Sequence, residues 1–484
     1  MGAVPHSRKL FGKERCLVVS RIKDMTAGSP TKLIAAFAFP LILGNLGQQL
    51  YMIVDAIIVG QGVGVEALAS LGASDWIYWL VLWTVQAMTQ GFAILVTQKF
   101  GAGDRQGLKQ AVTMSVMLCT AMGILFTVVS LLMARPMLVL LKTPDNIFDG
   151  ALSYLTAMFS GTLIVTAYNL ASAILRSFGD GKTPLIAMGI AACTNIVLDL
   201  LFVMGFHWGI TGAAAATLIA QLISFLYCLL VLRRNPYLRF TKADWRPNAT
   251  VLPALMKLGF PLALQHILIA VGGMVLQSVI NPYGVELVAG FTATNKLYGL
   301  LESSAISFGF AITTYMAQNY GAGRMDRVRL GIRRAVVLLV GVAVGIAVLM
   351  IAAGKHLLRL FISAAPELEA AVLDSAYSYL FVMSLFLIIL YLLFAYRSAL
   401  QGLGNTWAPL LSGFLEFAMR IAVAYTFPAF LGAYGLFFAE PGAWLGAVAV
   451  LIPTYYWQVR RICRQQALPN ATEGAEGSGP AGTH

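Results

Sequence analysis

The six residues Gln98-Lys99-Phe100-Gly101-Ala102-Gly103 recur 220 positions later as Gln318-Asn319-Tyr320-Gly321-Ala322-Gly323. Each copy follows an apolar run and precedes a basic segment, so each marks the end of one apolar stretch. A single match of this kind arises easily by chance in a chain that contains 46 glycines. Its meaning therefore depends on whether other matches lie at the same spacing.

Three further pairs occur in the same order and at nearly the same spacing. Their offsets stay between about 220 and 225 residues, which indicates an internal duplication. The pairs are Phe39-Pro40-Leu41 with Phe260-Pro261-Leu262, Gly64-Val65-Glu66 with Gly284-Val285-Glu286, and Gly179-Asp180 plus Pro184 with Gly404-Asn405 plus Pro409.

The composition of the whole chain is that of a membrane protein. Of the 484 residues, 59% are hydrophobic and only 11% are charged, which is less than half the charge density of an ordinary soluble protein. The mean hydropathy of +0.78 is spread over the full length. These values exclude a soluble enzyme and a receptor with a single anchor, and they predict an all-α protein with many transmembrane spans.

A window of about 20 residues, the length that crosses a bilayer, predicts twelve transmembrane helices. Each repeat contains six, so both repeats enter the membrane from the same side. We therefore expect two six-helix bundles that are related by an axis along the membrane normal and face each other across a cleft. The first six spans cover 32–59, 70–97, 109–133, 150–175, 184–206 and 212–232, and the second six cover 252–280, 288–317, 331–353, 370–396, 409–430 and 437–458.

The spans divide the chain into five segments. A cytoplasmic segment over 1–31 precedes a first bundle over 32–232, and a cytoplasmic linker over 233–251 precedes a second bundle over 252–458. The tail over 459–484 is rich in Gly, Ala, Glu, Ser and Pro towards its end. Both ends of the chain are predicted to be flexible.

Lysine and arginine are distributed unevenly between the two sides of this arrangement. Of the 33, 27 lie at the termini or in the loops on the same side, four lie in the opposite loops and two lie within spans. The positive-inside rule therefore places both termini in the cytoplasm, in a bacterial-type plasma membrane. Because this topology accounts for the net charge of +12, no nucleic-acid partner is expected.

The sequence lacks the signatures of an enzyme and of a disulfide framework. It contains no Walker A sequence, nucleophile elbow or His/Glu metal motif, so no enzymatic activity and no cofactor are expected. The five cysteines are odd in number and have no metal or redox spacing. The apolar run 16–20 is too short for a signal-peptide core, so we expect no cleavage.

Polar side chains within the first repeat indicate an ion site. Asp55 and Asp199 lie deep within predicted spans, where an ionisable group is costly and is a functional candidate by default. Tyr51 precedes Asp55 by one helical turn, and Asn195 precedes Asp199 by the same interval, so each pair shares a helix face. This oxygen-rich set predicts a site for H+ or Na+, with Na+ bound by Asp55 and Asp199.

Two further residues, Asn169 and Thr217, could add oxygens to this site. Structural roles remain open for the set: Asp55 as a solvated cleft residue, and Asn195 as an interhelical hydrogen-bonding group. Pro40 lies within the first predicted span, where it removes a backbone hydrogen bond, and we hypothesise a role in gating.

The second repeat carries different ionisable groups within its spans. Glu416 and Arg420 are one turn apart with the acid first, so the sequence predicts that they neutralise each other. Lys296 and Glu302, with this pair, are interpreted as structural or cleft-lining groups. In the first repeat, Asp75 lies near the outer end of the second span. The aromatic residues beside it, Trp76, Tyr78, Trp79 and Trp83, are expected to form an interfacial belt, although one of them could reach the cleft.

These stretches together resemble the multidrug and toxin extrusion (MATE) family. The resemblance rests on Phe39 to Asn45, Tyr51 to Asp55, the two glycine loops at Gln98 and Gln318, the loop from Leu175 to Pro184, and Asn195 to Asp199. It implies two six-helix bundles in a V shape that export organic cations or amphipathic toxins against an inward H+ or Na+ gradient. It also implies a DinF-type cation site, which Asp55, Asn195, Asp199 and Thr217 match in spacing and Asn169 matches less closely.

Antiport is therefore the function that we expect, with a small amphipathic or cationic substrate, membrane lipid as the surroundings and a monomer as the functional unit. A lipid-linked saccharide flippase of the same superfamily is the alternative. Such a protein favours a cationic cleft, whereas the first-repeat cleft is predicted to be acidic. An ion channel would need a pore-lining ring or filter, and the sequence shows neither.

Overall fold

The computed structural model describes residues 22–362 and 366–467. The predicted segments 1–21 and 468–484 lie outside the described residues. Over the described chain every regular element is a helix, which confirms the all-α prediction. Nine stretches are long and apolar enough to cross a membrane, and a bent helix pair is a tenth. One of the nine, 407–466, contains the last two predicted spans, so the described chain is that of a multi-pass membrane protein.

The helices follow the predicted spans closely. In the first repeat they are α1 Pro30–Gly62, α2 Val65–Gly101, α3 Arg105–Leu140, α4 Asp145–Ser160, α5 Thr162–Ser177, α6 Lys182–Asp199 and α7 Gly209–Arg233. In the second repeat they are α8 Val251–Ile280, α9 Val285–Gly321, α10 Met325–Arg359, α11 Pro366–Leu385, α12 Leu387–Gly402, α13 Trp407–Thr426, the short α14 Pro428–Leu431 and α15 Ala439–Ala467.

Two predicted spans are each divided into two helices. The span 150–175 consists of α4 and α5, which meet at Gly161 with a bend of 49°. The span 370–396 consists of α11 and α12, which are separated at Phe386. The two breaks are 225 positions apart, so they are the same feature of the duplicated unit.

The two repeats meet along the helices that carry the duplicated glycine motifs. Helix α1 packs against α9, and α2 packs against both α8 and α9. Where α2 meets α8, a Cβ atom on Gly91 would lie 2.5 Å from the Cα atom of Gly259. Only glycine permits backbones to approach this closely, which explains why small residues stand at these positions.

The closest approach is the crossing of α2 and α9 at the two QxxGAG motifs. A Cβ atom on Gly101 would lie 2.1 Å from the carbonyl oxygen of Gln318, and one on Gly321 would lie 2.0 Å from that of Gln98. Each glutamine side chain also crosses to the other repeat. Gln98 Nε2 donates to the Gly402 carbonyl at 2.9 Å, and Gln318 Nε2 donates to the Ser177 carbonyl at 2.9 Å.

The chain just before α1 connects the two repeats at this same end. The Lys23 amide donates to the Phe178 carbonyl of the first repeat at 2.9 Å. The fully buried Met25 donates through its backbone amide to Gln318 Oε1 of the second repeat at 2.8 Å. Arg327 donates to the Met25 carbonyl at 3.1 Å and so holds this strap (residues 22–29) on the second repeat.

The described parts of the loops and ends make more contacts than their composition indicates. Composition predicts a flexible strap, but its residues make the buried contacts just described. The linker 233–251 packs on the first repeat, where the backbone carbonyl of buried Asp244 accepts from Thr113 Oγ1 at 2.8 Å. The predicted flexible tail begins within α15, which continues to Ala467. In each case buried polar contacts or helix packing override a local composition typical of loops.

The glycine crossing makes a substitution test possible. Glycine to alanine within a helix ordinarily stabilises by about 0.5–1 kcal/mol. At Gly101 the added methyl group would collide with backbone, and overpacking of this kind costs about 1–3 kcal/mol. We expect Gly101→Ala to lower the melting temperature of the purified protein, measured by intrinsic fluorescence in detergent.

Gly345 on α10 is the matched control, because no neighbouring helix or side chain lies within 4 Å of the position that an added methyl group would take there. Gly345→Ala should leave the melting temperature unchanged or raise it. Equal melting temperatures for the two variants would contradict the close crossing.

Candidate functional site

A cavity of about 580 Å³ lies between the two repeats and is lined by α1, α2, α5, α6, α7 and α9. Its size is that of a pocket for a drug-sized ligand. The wall carries two carboxyl groups, Asp75 and Glu302, and one guanidinium, Arg176. Asn45 on α1 donates through Nδ2 to Ser307 Oγ on α9 at 3.0 Å, so a hydrogen bond joins the two repeats beside the cavity.

Aromatic side chains form much of the apolar wall. Trp76, Trp79 and Trp83 of α2 all line the cavity, together with Phe310 of the second repeat. Three of the four aromatic residues therefore reach the cavity, whereas the sequence predicts that one could do so. They recur at intervals of three and four residues, which is a helix face, and the neighbouring repeat determines that this face looks into the cavity.

The structure brings Asp55 and Asp199 together. Their carboxyl groups lie within hydrogen-bonding reach of each other. Asp199 is fully buried, and no donor in the described chain satisfies either of its oxygens or Oδ1 of Asp55. Two ionised carboxylates at close range repel each other, so an arrangement of this kind favours a shared proton or another small cation.

The other predicted members of the ion site lie at different distances from this pair. Asn195 lies beside Asp199, and its Nδ2 donates to Thr217 Oγ1 at 3.3 Å, while its Oδ1 has no donor in the described chain. Tyr51 lines the cavity one turn before Asp55. Asn169 also lines the cavity, but its amide donates to the Val165 carbonyl of its own helix at 2.9 Å.

The available oxygens suit either H+ or Na+. Oδ1 of Asp55, both carboxylate oxygens of Asp199 and Oδ1 of Asn195 are buried without donors in the described chain. Such a set of oxygen atoms can hold Na+ as a ligand shell or H+ shared between the carboxyl groups.

One of the two helices that carry the pair changes its backbone geometry at the site, and the other contains a proline. Immediately after Asp199 the chain continues as a π-helix, Leu200–Gly205, and such segments occur often at functional sites. On α1 the buried Pro40 lies inside the helix and lines the cavity. The helix continues through Pro40, whose proposed part in gating remains a prediction.

The predicted pairing of Glu416 with Arg420 is wrong. Glu416 pairs with Arg397 of α12, while Arg420 pairs with Glu440 of α15 at 2.8 Å. Neither Glu416 nor Arg420 is among the residues that line the cavity, so of the two roles considered for them the ion pairs favour the structural one. Glu302 does line it, and Lys296 is exposed one turn before the lining residue Gly299 on α9.

Comparison with known proteins identifies the family. The MatE family model matches the chain twice, over residues 40–201 and 261–426, once in each repeat. The chain belongs to the MatE family. The resemblance to multidrug and toxin extrusion proteins is thereby confirmed, and the paired match agrees with the duplication.

Relatives of this MatE chain are described as multidrug resistance proteins. The probable multidrug resistance protein YpnP of Bacillus subtilis is 32% identical over 343 residues, which is 70% of this chain and 76% of that protein. The probable multidrug resistance protein NorM of Thermotoga maritima is 25% identical and covers 87% of this chain and 89% of its own. One solved structure, an outward-facing multidrug resistance MATE transporter, matches with a TM-score of 0.84 at 22% identity over 91% of this chain and 98% of its own.

Three charged residues of this MatE chain are not predicted as site candidates from the sequence, because they lie at or near the ends of predicted spans. The predicted spans 150–175 and 370–396 end one residue before Arg176 and Arg397, because a charge marks the end of an apolar window. The helices continue through both arginines to Ser177 and Gly402. Glu440 lies in the first turn of α15, where its charge is typical of the outer end of a span.

The buried ion pair of Arg397 and Glu416 gives a stability prediction. Removing one partner of a buried pair leaves an uncompensated charge and typically costs about 3–5 kcal/mol. We expect Glu416→Gln to lower the melting temperature of the purified protein strongly.

Asp326 pairs with Arg324 at 3.1 Å on the surface, where both side chains are more than half exposed. Asp326→Asn removes the same charge from a solvated pair and should leave the melting temperature unchanged. If both variants melt at the wild-type temperature, the Arg397–Glu416 pair does not stabilise the fold.

Proposed function

We propose that this protein is a secondary active multidrug exporter that antiports cationic or amphipathic compounds against an inward H+ or Na+ gradient. The observation that carries the proposal is the pair of the half-buried Asp55 and the fully buried Asp199, which has no cationic partner in the described chain. Relatives named as multidrug resistance proteins support the same function, and they do not favour a lipid-linked saccharide flippase.

The carboxyl pair would bind the coupling ion. Two adjacent carboxylates in a low-dielectric interior repel each other strongly, so the doubly ionised state is unfavourable unless a cation is present. Fixed ion pairs, such as those of the second repeat, need no mobile ion. The Asp55–Asp199 pair does need one, and it would therefore exchange H+ or Na+ with the surroundings.

Helix α1 would couple the ion to the substrate. Residues Gln48, Tyr51 and Met52 of this helix line the cavity, while Asp55, one turn later than Tyr51, faces Asp199 of α6. A change in the charge of the pair alters the forces between α1 and α6, and α1 carries that change to the cavity wall. Ion and substrate would thus bias one conformational equilibrium in opposite directions, which is the requirement for antiport.

The cavity chemistry supports a cationic or amphipathic substrate. Tryptophan faces attract flat apolar molecules and cations, and the carboxyl groups of Asp75 and Glu302 provide negative charge on the wall. The chain would act as a monomer in the bacterial plasma membrane. Both termini would lie in the cytoplasm, as the distribution of lysine and arginine indicates.

Everted membrane vesicles test the coupling directly. We expect ethidium to accumulate in vesicles containing the wild-type protein when a pH gradient or a sodium gradient is imposed, and the two gradients applied separately will identify the ion. Asp55→Asn and Asp199→Asn should each abolish gradient-driven accumulation, because a neutral amide has no charge with which to bind and release the cation.

The matched control is Asp326→Asn, which removes an exposed carboxylate far from membrane-buried groups and should accumulate ethidium at the wild-type rate. Gradient-driven accumulation by Asp55→Asn and Asp199→Asn at the wild-type rate would refute this assignment of the ion site. Absence of accumulation by the wild-type protein under both gradients would refute the exporter function.

A further inference from the structure

Arg176 lies at the closed end of the cavity. It is one residue before Ser177, whose carbonyl accepts from Gln318 at the crossing of α2 and α9. Arg176 lines the cavity, and its guanidinium carbon lies 4.8 Å from the centre of the Phe310 ring on the opposite repeat. The positive charge is therefore placed between the two repeats, at the deepest part of the space where a substrate would bind.

The charge of Arg176 has no carboxylate partner in the described chain. Its Nη1 donates to Ser172 Oγ at 2.7 Å and its Nη2 donates to Gln90 Oε1 at 3.2 Å, and both acceptors are neutral. Its Nε is buried and has no acceptor in the described chain. The side chain is thus held in place by neutral groups and by an aromatic ring, while its charge is not neutralised by a carboxylate of the described chain and the partly exposed side chain lines the cavity.

The buried arginines of the second repeat show the opposite arrangement. Arg397 and Arg420 are each paired with a glutamate, Glu416 and Glu440 respectively. A buried guanidinium is normally paired in this way, because an isolated charge is costly in a low-dielectric interior. Arg176 differs by facing a cavity large enough to admit an anion.

A carboxylate lies further along the same cavity. Glu302 is on α9, eight residues before Phe310, which corresponds to about 12 Å along a helix axis. Glu302 forms no ion pair within the described chain, since the nearby arginines 397 and 420 are occupied by other glutamates. The cavity therefore has a positive group at its closed end and a negative group towards its other end.

We propose that Arg176 is an anion-binding residue of this cavity, and that with Glu302 it selects zwitterionic amphipathic substrates. The carboxylate of the substrate would bind the guanidinium of Arg176, its cationic group would face Glu302, and its aromatic body would contact the tryptophans of α2. A substrate with a single positive charge and no carboxylate would interact with Glu302 and would have no group to bind Arg176. This inference rests on the proposed export function and specifies the class of molecule that the cavity binds.

Binding of rhodamine B and of its ethyl ester tests the proposal. The two dyes share one xanthene skeleton, but rhodamine B carries a free carboxylate and the ester does not. We expect Arg176→Gln to weaken the binding of rhodamine B by about 10-fold to 100-fold, the range for a charge-assisted hydrogen bond, and to leave the affinity for the ester within about twofold. Binding is measured by dye fluorescence polarisation on purified protein in nanodiscs.

Two further variants separate recognition from folding. Arg176→Lys keeps the positive charge and should recover most of the affinity for rhodamine B. Glu302→Gln should lower the affinity for both dyes, because both carry the same cationic group. Unchanged affinity for the ester in Arg176→Gln also shows that the cavity is intact.

The proposal is overturned if Arg176→Gln lowers the affinity for both dyes equally, because Arg176 would then have a structural role. It is also overturned if the affinity for neither dye changes, because Arg176 would then not contact the ligand. Gradient-driven ethidium accumulation by the wild-type protein reports on the export function independently. A protein that exports ethidium but fails the rhodamine comparison retains the proposed function and lacks the proposed anion subsite.

Discussion

The crossing of α2 and α9 at the duplicated glycines is the constraint on which the rest of the structure depends. Backbone meets backbone at Gly101 and Gly321, with no space for a side chain on either, and the glutamines three residues before each hold the opposite repeat. Because the two repeats are in contact here, the space between them is closed at this end. The strap adds contacts from both repeats to the same place, and the cavity extends away from it.

The two repeats share one fold but distribute their charges differently. In the second repeat, two arginines and two glutamates form buried ion pairs that are internally neutral. In the first repeat, two carboxyl groups meet without a cation in the described chain. Burial in low dielectric penalises unbalanced charge in both cases. Paired charges are neutralised within the fold, whereas the carboxyl pair lacks such a partner in the described chain. The two copies of the duplicated unit therefore differ in how their buried charges are balanced.

The carboxyl pair, which we propose binds the ion, and the cavity are adjacent but separate. Asp199 is fully buried within the first repeat, whereas the cavity lies between the repeats. Helix α1 contributes to both through residues one turn apart, Tyr51 and Asp55. A change at the carboxyl pair can therefore act on a substrate without direct contact, through the position of a single helix. This arrangement provides the common two-state element that coupling of two ligands requires.

The sequence alone determined the helical membrane fold, the duplication, and the identity of Asp55 and Asp199 as candidates. Hydropathy, repeat spacing and the cost of a charge in a bilayer are properties of the local sequence, so they can be read before folding. Partner choice was decided by the tertiary structure. Glu416 and Arg420 satisfy the spacing of a helical ion pair, yet packing brings a different partner to each. Arg176 falls in a predicted loop because it is charged, and only the opposing repeat shows that its helix continues and that its guanidinium faces a cavity. The direction of a side chain depends on what packs against its helix, and no spacing rule within one segment contains that information.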